Sequence, residues 1–372
     1  MTQYIETTEH AASPFVRAWQ MCTSQRHGVR RFFNNLKVKL QTALRPDVAP
    51  GLPTCISIEI TNRCDGGCVL CPVGEGRVGR PLGRMDFDQF RGLIDQISTH
   101  ATHVGLYNWG DPMRHPQVYD MIRYVAAQGM RPSISTNLHS FNVEDSEELV
   151  RTGLDSLGIS IHGLTQKTYA TYQPAHQLEE VLAKSRAIVE AKRRLGSVTP
   201  EIHFMFIVRK DNEHEIPALR QLAQSLGATY RVLEAILNLR LLPYDRFLQP
   251  RGLSFEQLRQ ERLAKMEQWL PANPNHVNPI YRQMLQNEGK MPCAKLMPCR
   301  GPWFEMVVSW DGDVNLCCGV FDPKDSVGNV FKTPVKHIWN NSFYRSARRN
   351  ICNRSRKDDS PTVCHHCPGM LL

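Results

Sequence analysis

The stretch CISIEITNRCDGGCVLCP, residues 55–72, joins an apolar alternation to three cysteines with three and then two residues between them. Its first part, CISIEI (55–60), reads as a β-strand. Cys64, Cys68 and Cys71 then fall in the loop directly after it, at the carboxyl end of the strand, where sites form in parallel α/β sheets. Three thiols there admit two readings. A structural zinc ion closes with four protein ligands, so the set would need a partner from elsewhere. A [4Fe–4S] cluster has four irons, each needing an outer ligand, so three cysteines leave one iron open.

The residues that follow place this strand in a repeating unit. Phe87, Phe90, Ile94 and Ile97 recur at helical spacing, and THVGLYN (102–108) is a second strand. Val118, Met121, Ile122 and Val125 mark a helix that Gly129 can end. RPSISTN (131–137) is a third strand, a short helix covers 144–152, and SLGISIH (156–162) is a fourth strand. Leu178, Val181, Leu182, Ser185, Ile188 and Val189 share a helix face; EIHFMFIV (201–208), a helix over 213–226 and TYRVLEAIL (229–237) complete six units. Strands alternating with helices require a parallel sheet with right-handed crossovers. The fold class predicted is α/β, a partial (β/α)6 TIM-like barrel with a small C-terminal cysteine-rich domain.

With 372 residues the chain exceeds what one hydrophobic core usually supports. A basic extension (1–50), the barrel (51–242), a helical connector (243–292) and a cysteine-rich domain (293–372) are the expected divisions. Hydrophobic residues make up 41% and charged residues 22%, which excludes wholesale disorder. The start shows no signal-peptide pattern and no apolar run reaches the length of a membrane span, so a cytoplasmic location without a transmembrane segment is expected. In a reducing compartment twelve cysteines point to metal ligands or reactive thiols before disulfides. The net charge of +9 gathers at Val16–Arg45, which holds seven basic residues and no acid, at Lys192–Arg194 and at Arg345–Arg349. No aromatic-interleaved motif accompanies it, so no nucleic-acid partner is expected.

The C-x3-C-x2-C spacing after the first strand resembles the signature of the radical S-adenosylmethionine (radical SAM) superfamily, over roughly residues 54–240. WGDP (109–112) is similar to the family's GGEP-type motif, whose backbone holds the amino group of SAM. The resemblance therefore implies cofactor contacts at Trp109, Gly110, Asp111 and Pro112. It implies further contacts at Ser135 and Asn137 of STN, at Ser160 of GISIHG, and at Leu233 in VLEAI, near the adenine. Cys64, Cys68 and Cys71 would hold a [4Fe–4S] cluster whose open iron chelates SAM. An electron from that cluster cleaves SAM to a 5′-deoxyadenosyl radical, which abstracts a substrate hydrogen. Two positions depart from the family pattern: Leu70 replaces a frequent aromatic residue, and Gln173 stands where many relatives have an arginine partner for the SAM carboxylate.

The segment from CRGPWFEMVVSWDGDVNLCC (299–318) to CHHCPG (364–369) resembles a SPASM or twitch extension. Cys299, Cys317, Cys364 and Cys367 look like the ligands of one auxiliary [4Fe–4S] cluster, with the Asp311–Gly312 turn folding Cys317 back toward Cys299. Cys318 could exchange with Cys317, Cys293 could compete as a ligand, and Cys352 could donate a hydrogen atom to a product radical. Cys22 and Cys55 read as buried thiols, and His365 and His366 as loop residues. A cluster fully ligated by protein suits electron acceptance or relay. The function this implies is an oxidoreductase that dehydrogenates or epimerises a sugar- or cyclitol-like small molecule, with a reductant such as flavodoxin or ferredoxin. Modification of a ribosomally made peptide is the alternative. Zinc knuckles binding nucleic acid, and a simple electron carrier, are rivals that leave the barrel motifs unexplained. RRFFNNLKVKL (30–40) reads as a basic amphipathic helix that caps the barrel through Phe32, Phe33, Leu36 and Leu40, or else touches anionic lipid.

Overall fold

The computed structural model describes residues 4–7, 27–76, 78–235, 237, 255–288, 299–365 and 367. Cys22, Cys293 and His366 lie outside them. A strand β1 (Tyr4–Thr7) and a helix α1 (Gly28–Leu44) precede the repeating units. These run β2 (Cys55–Ile58), α2 (Phe87–Ile97), β3 (His103–Gly105), α3 (Val118–Ala127), β4 (Arg131–Thr136), α4 (Ser146–Arg151) and β5 (Ser156–Ser160). They continue with α5 (Gln166–Tyr172), α6 (Leu178–Arg194), β6 (Glu201–Val208), α7 (Ile216–Ser225) and β7 (Thr229–Glu234). Beyond them come α8 (Phe255–Trp269), α9 (Pro279–Gln286), β8 (Glu305–Val308), β9 (Val314–Asn315), α10 (Val335–Ile338) and α11 (Ser342–Ile351).

β2 to β7 pair in parallel in chain order, the arrangement that strand–helix alternation requires. The sheet does not end at β2. β8 bonds to its free edge in parallel, from Cys55↔Glu305 to Ile58↔Val308, while β1 and β9 close the two edges antiparallel. The result is an α/β partial barrel extended by a strand from the cysteine-rich segment.

Alternation along the strands sorts the side chains. Ile56, Ile58, Val104, Ile134, Leu157, Ile159, Phe204 and Phe206 are buried in one core with Phe90, Ile94, Met121, Val125 and Ile188 of the covering helices. Each such side chain withdrawn from water is worth about 1.5–3 kcal/mol. The intervening residues Ser57, Gly105, Ser133, Ser135, Gly158 and Ser160 face the inner side. A Cβ on Gly158 would stand 3.3 Å from both Met205 Cγ and Ser135 Oγ, which puts these residues on that one side. Local signals place the helices. Asp86, for example, caps α2 by accepting from the amides of Asp88 (2.9 Å) and Gln89 (3.1 Å).

Helix α1 packs on the barrel, but not through the apolar residues expected to cap it. Phe32, Phe33, Leu36 and Leu40 are all exposed, and the opposite, polar face meets the protein. Buried Arg31 donates to the carbonyls of Ser98 (2.8 Å), Gln128 (2.5 Å) and Gly129 (2.5 Å). Asn34 pairs with the backbone of Leu52, and Gln41 with Gly51 and the Trp303 carbonyl. The physical reason lies in α2 and α3: their ends carry carbonyls with no intrahelical donor, and Arg31 satisfies them.

Candidate functional site

The three cysteines of residues 64–71 are held by short contacts with the next strands' loops. Gly66 carries no side chain because a Cβ there would stand 3.0 Å from Asn137 Nδ2, 3.3 Å from Cys68 Sγ and 3.5 Å from Cys64 Sγ. Both sulfurs therefore converge on one side of the β4 loop, and Asn137 Nδ2 lies 3.6 Å from Cys64 Sγ. The Cys71 amide donates to the Cys68 carbonyl (3.2 Å), and the Val69 amide to the carbonyl of Tyr172 at the end of α5 (3.2 Å).

WGDP docks onto the strand that carries the cysteines. A Cβ at Gly110 would overlap the Thr61 carbonyl oxygen, so only glycine allows this approach. The Asp111 amide donates to the Arg63 carbonyl (2.9 Å). Its buried carboxylate accepts from the Met113 amide (2.9 Å), the Thr136 hydroxyl (2.9 Å) and the Asn137 amide (2.8 Å). Burial nonetheless pushes the Asp111 carboxyl up to about 6. Trp109 turns the other way. Its Nε1 donates to the Val320 carbonyl (3.1 Å), its ring stands edge-on to Phe321 at 5.7 Å, and its amide donates to Glu59 (3.2 Å).

Ser135 and Ser160 lie on the inner wall, where Ser135 is paired in register with Gly158 and Ser160 with Met205; Leu233 is paired with Ile207. Gln173 is buried, and neither its amide nitrogen nor its oxygen has a partner. It follows Tyr169 by one helical turn, and Tyr172 beside it packs with Cys68, Val69 and Leu70. Arg209 is fully occupied close by: it pairs with Asp211 (2.9 Å), donates to the carbonyls of His162 (2.7 Å) and Thr168 (2.8 Å), and lies 5.4 Å from the Tyr172 ring.

At the other end, Cys299, Cys317 and Cys364 belong to one core cluster. Burial, followed by the charges of Cys318, Cys367, Cys364 and Cys299, pushes the Cys317 thiol far above its ordinary value. Burial also pushes the Cys318 thiol up. Cys352 ends α11 and packs partly buried against the main core. His365 accepts from the Thr362 amide through Nδ1 (3.1 Å), in keeping with a loop role. Cys55 is half-buried on the inner side of β2. Among the described residues no three His, Cys, Asp or Glu side chains converge as a single-ion site.

Several residues around the site carry no local sequence signal. Glu59, at the end of β2, is buried between the Trp109 and Trp310 amides and beside Arg80, and burial pushes it up to about 7. Arg80 bridges the cysteine loop to the β8–β9 turn through Asp311 and Asp313. The His139 and His176 rings stack at 3.3 Å, and His176 Nε2 donates to the Asp65 carbonyl (2.7 Å). These partners come from separate loops, so spacing along the chain could not reveal them.

The comparisons agree with this layout. The Radical SAM superfamily profile matches residues 58–223, and an iron–sulfur cluster-binding SPASM profile matches residues 299–368. The tungsten-containing aldehyde ferredoxin oxidoreductase cofactor-modifying protein of Pyrococcus furiosus is 27% identical over 77% of this chain and 81% of its own length. The AdoMet-dependent heme synthase of Methanosarcina barkeri is 25% identical over 78% and 83%, and the mycofactocin maturase of Mycobacterium ulcerans is 22% identical over 85% and 80%. Among solved structures, Streptococcus suis SuiB bound to S-adenosylmethionine has the same fold, with a TM-score of 0.56 at 13% identity over 93% of this chain and 78% of that one. The two matched domains imply a SAM-binding [4Fe–4S] cluster and auxiliary [4Fe–4S] chemistry. With both domains matched in their proper order, the chain belongs to the radical SAM superfamily and carries a C-terminal SPASM domain.

Proposed function

We propose that Cys64, Cys68 and Cys71 hold the SAM-binding cluster, that Cys299, Cys317, Cys364 and Cys367 hold one auxiliary cluster, and that the protein dehydrogenates or epimerises a sugar- or cyclitol-like small molecule. The observation that supports this is the approach of Cys64 and Cys68 beside Gly66 and Asn137, together with the placement of Cys299, Cys317 and Cys364 in one core cluster. The donor chemistry fits. Burial, with Asp111, Cys71 and Asp65 adding to it, pushes the Cys64 thiol up to about 12, and burial with Cys367 does the same to Cys299. Thiols so crowded ionise when a cationic centre is bound, because the metal reverses the local charge balance. When bound, the first cluster and SAM would supply a 5′-deoxyadenosyl radical for hydrogen abstraction, and the auxiliary cluster a place for one electron.

The chain's own residues bind and orient. The backbone of Trp109–Pro112, braced by Gly110 on Thr61, lines the loop next to Cys64, and Asn137 reaches the same sulfur. The unpartnered amide of Gln173 takes the place of the arginine expected for the SAM carboxylate: a buried carboxamide without partners costs about 1–3 kcal/mol until a ligand supplies them. Ser135, Ser160 and Leu233 form the wall on which the rest of SAM would lie. The hydroxyls of Ser57 and Ser133 on that inner wall suit a compact polyol. Cys352 stays a candidate hydrogen donor on its chemistry alone.

Modification of a ribosomally made peptide is the second reading. Similarity to PqqA peptide cyclase and mycofactocin maturase supports it. Anaerobically reconstituted protein is expected to hold about eight irons, and the triple variant C64A/C68A/C71A about half of them. Under a strong reductant the wild type should release 5′-deoxyadenosine from SAM. Deuterium traced from labelled sugar, cyclitol and peptide pools into 5′-deoxyadenosine separates the two readings. Zinc in place of iron would refute both.

A further inference from the structure

The helix α1 turns its apolar residues to the outside. Val29, Phe33, Leu36, Leu40 and Leu44 recur at steps of three and four, which lines them up along one side of the helix, with Phe32 beside them. Phe33, Leu36 and Leu40 are 57%, 57% and 58% exposed, and Leu44 is 70% exposed. The opposite side is fully engaged: Arg31, Asn34 and Gln41 anchor the helix through backbone carbonyls of four separate segments. The helix therefore cannot rotate to bury its apolar stripe without abandoning those bonds. Scattered exposed apolar residues are ordinary, but a continuous stripe on an anchored helix marks an interaction surface.

Its charge says what it meets. Exposed Arg30 and Lys37 flank the stripe on one side and exposed Lys39 on the other, and the helix contains no acid. In the other basic runs several charges have acidic partners: Arg193 pairs with Glu190, Arg194 with Glu147 and Arg349 with Asp359, while Arg348 is buried over the Trp339 ring. An aromatic and leucine stripe bordered by Lys and Arg, on a helix of 17 residues, is the pattern of a helix lying in the plane of an anionic bilayer surface. No helix among the described residues is long and apolar enough to cross a membrane. We propose that α1 docks the enzyme peripherally on an anionic lipid surface, with Phe32, Phe33, Leu36, Leu40 and Leu44 entering the headgroup layer and Arg30, Lys37 and Lys39 at the lipid phosphates. This holds whatever the substrate proves to be.

Flotation of the full, cluster-loaded chain with phosphatidylcholine vesicles, with and without phosphatidylglycerol, tests it. The wild type is expected to float with the anionic vesicles roughly ten-fold more than with neutral ones, and to be released by high salt. The variant F33S/L36S/L40S, and separately K37E/K39E, should each lose that binding by a similar factor. Both should keep the wild-type iron content and 5′-deoxyadenosine release, because every changed side chain points to solvent. Equal binding to both vesicles, or binding unaltered in the variants, overturns the proposal. So does a dimer in light scattering that the serine variant dissolves, which would assign the stripe to a second copy. Amide-exchange protection of the stripe in vesicle-free monomer would overturn it too, since residues 8–26 of the same chain would then cover it.

Discussion

Asp111 shows how a single residue joins two motifs. Its carboxylate accepts three bonds from the end of β4 and its own loop, so the WGDP turn and the STN turn are one unit. Replacing it by asparagine puts an amide donor against the donors of Thr136 and Asn137. The expected loss is about 1–3 kcal/mol in urea unfolding, together with weaker SAM binding in equilibrium dialysis. Gly110 permits no side chain, because its neighbour is a backbone carbonyl that cannot move aside. Gly110→Ala should cost about 1–3 kcal/mol by thermal melting and lower the iron retained after reconstitution.

At the scale of elements, α1 is held by polar bonds. Arg31→Ala leaves the carbonyls of Ser98, Gln128 and Gly129 without their donor, and about 2–4 kcal/mol of unfolding free energy should be lost. Amide exchange over residues 28–44 should rise in that variant. His100, in the turn after α2, contributes a pH dependence. Burial, and Arg31 behind it, brings its imidazole down from 6.5 to about 4, and Nδ1 stays bonded to the Pro53 carbonyl (2.9 Å). A base with a depressed folded value binds protons more readily when unfolded, so its stabilising contribution is full above 6.5 and fades as pH falls toward 4. The stability advantage of wild type over His100→Asn, measured by urea unfolding, should therefore shrink between pH 7 and pH 4.

Across the whole molecule, the SPASM segment is built into the barrel. β8 extends the sheet at β2, Trp303 Nε1 donates to the Pro46 carbonyl (2.9 Å), and buried Arg348 donates to the carbonyls of Pro302 and Asp47. Arg80 adds a link from the cysteine loop to Asp311 and Asp313, with its side chain nearly solvent-free. Breaking a buried pair from one side leaves its partners' charges uncompensated. Arg80→Gln should thus loosen the β8–β9 hairpin, seen as faster amide exchange over residues 305–316, while the auxiliary iron stays bound.

Local spacing determined much of this protein. Strand–helix alternation predicted β2 to β7, and the C-x3-C-x2-C spacing marked the cysteine loop, because both depend only on near neighbours in the chain. Tertiary structure decided the rest. Periodicity showed that α1 has two faces, but three distant carbonyls needing donors selected the polar one for docking. The place of β8 beside β2 followed from an open sheet edge some 250 residues earlier. Partners so far apart in sequence leave no local pattern; only the closed chain brings them together.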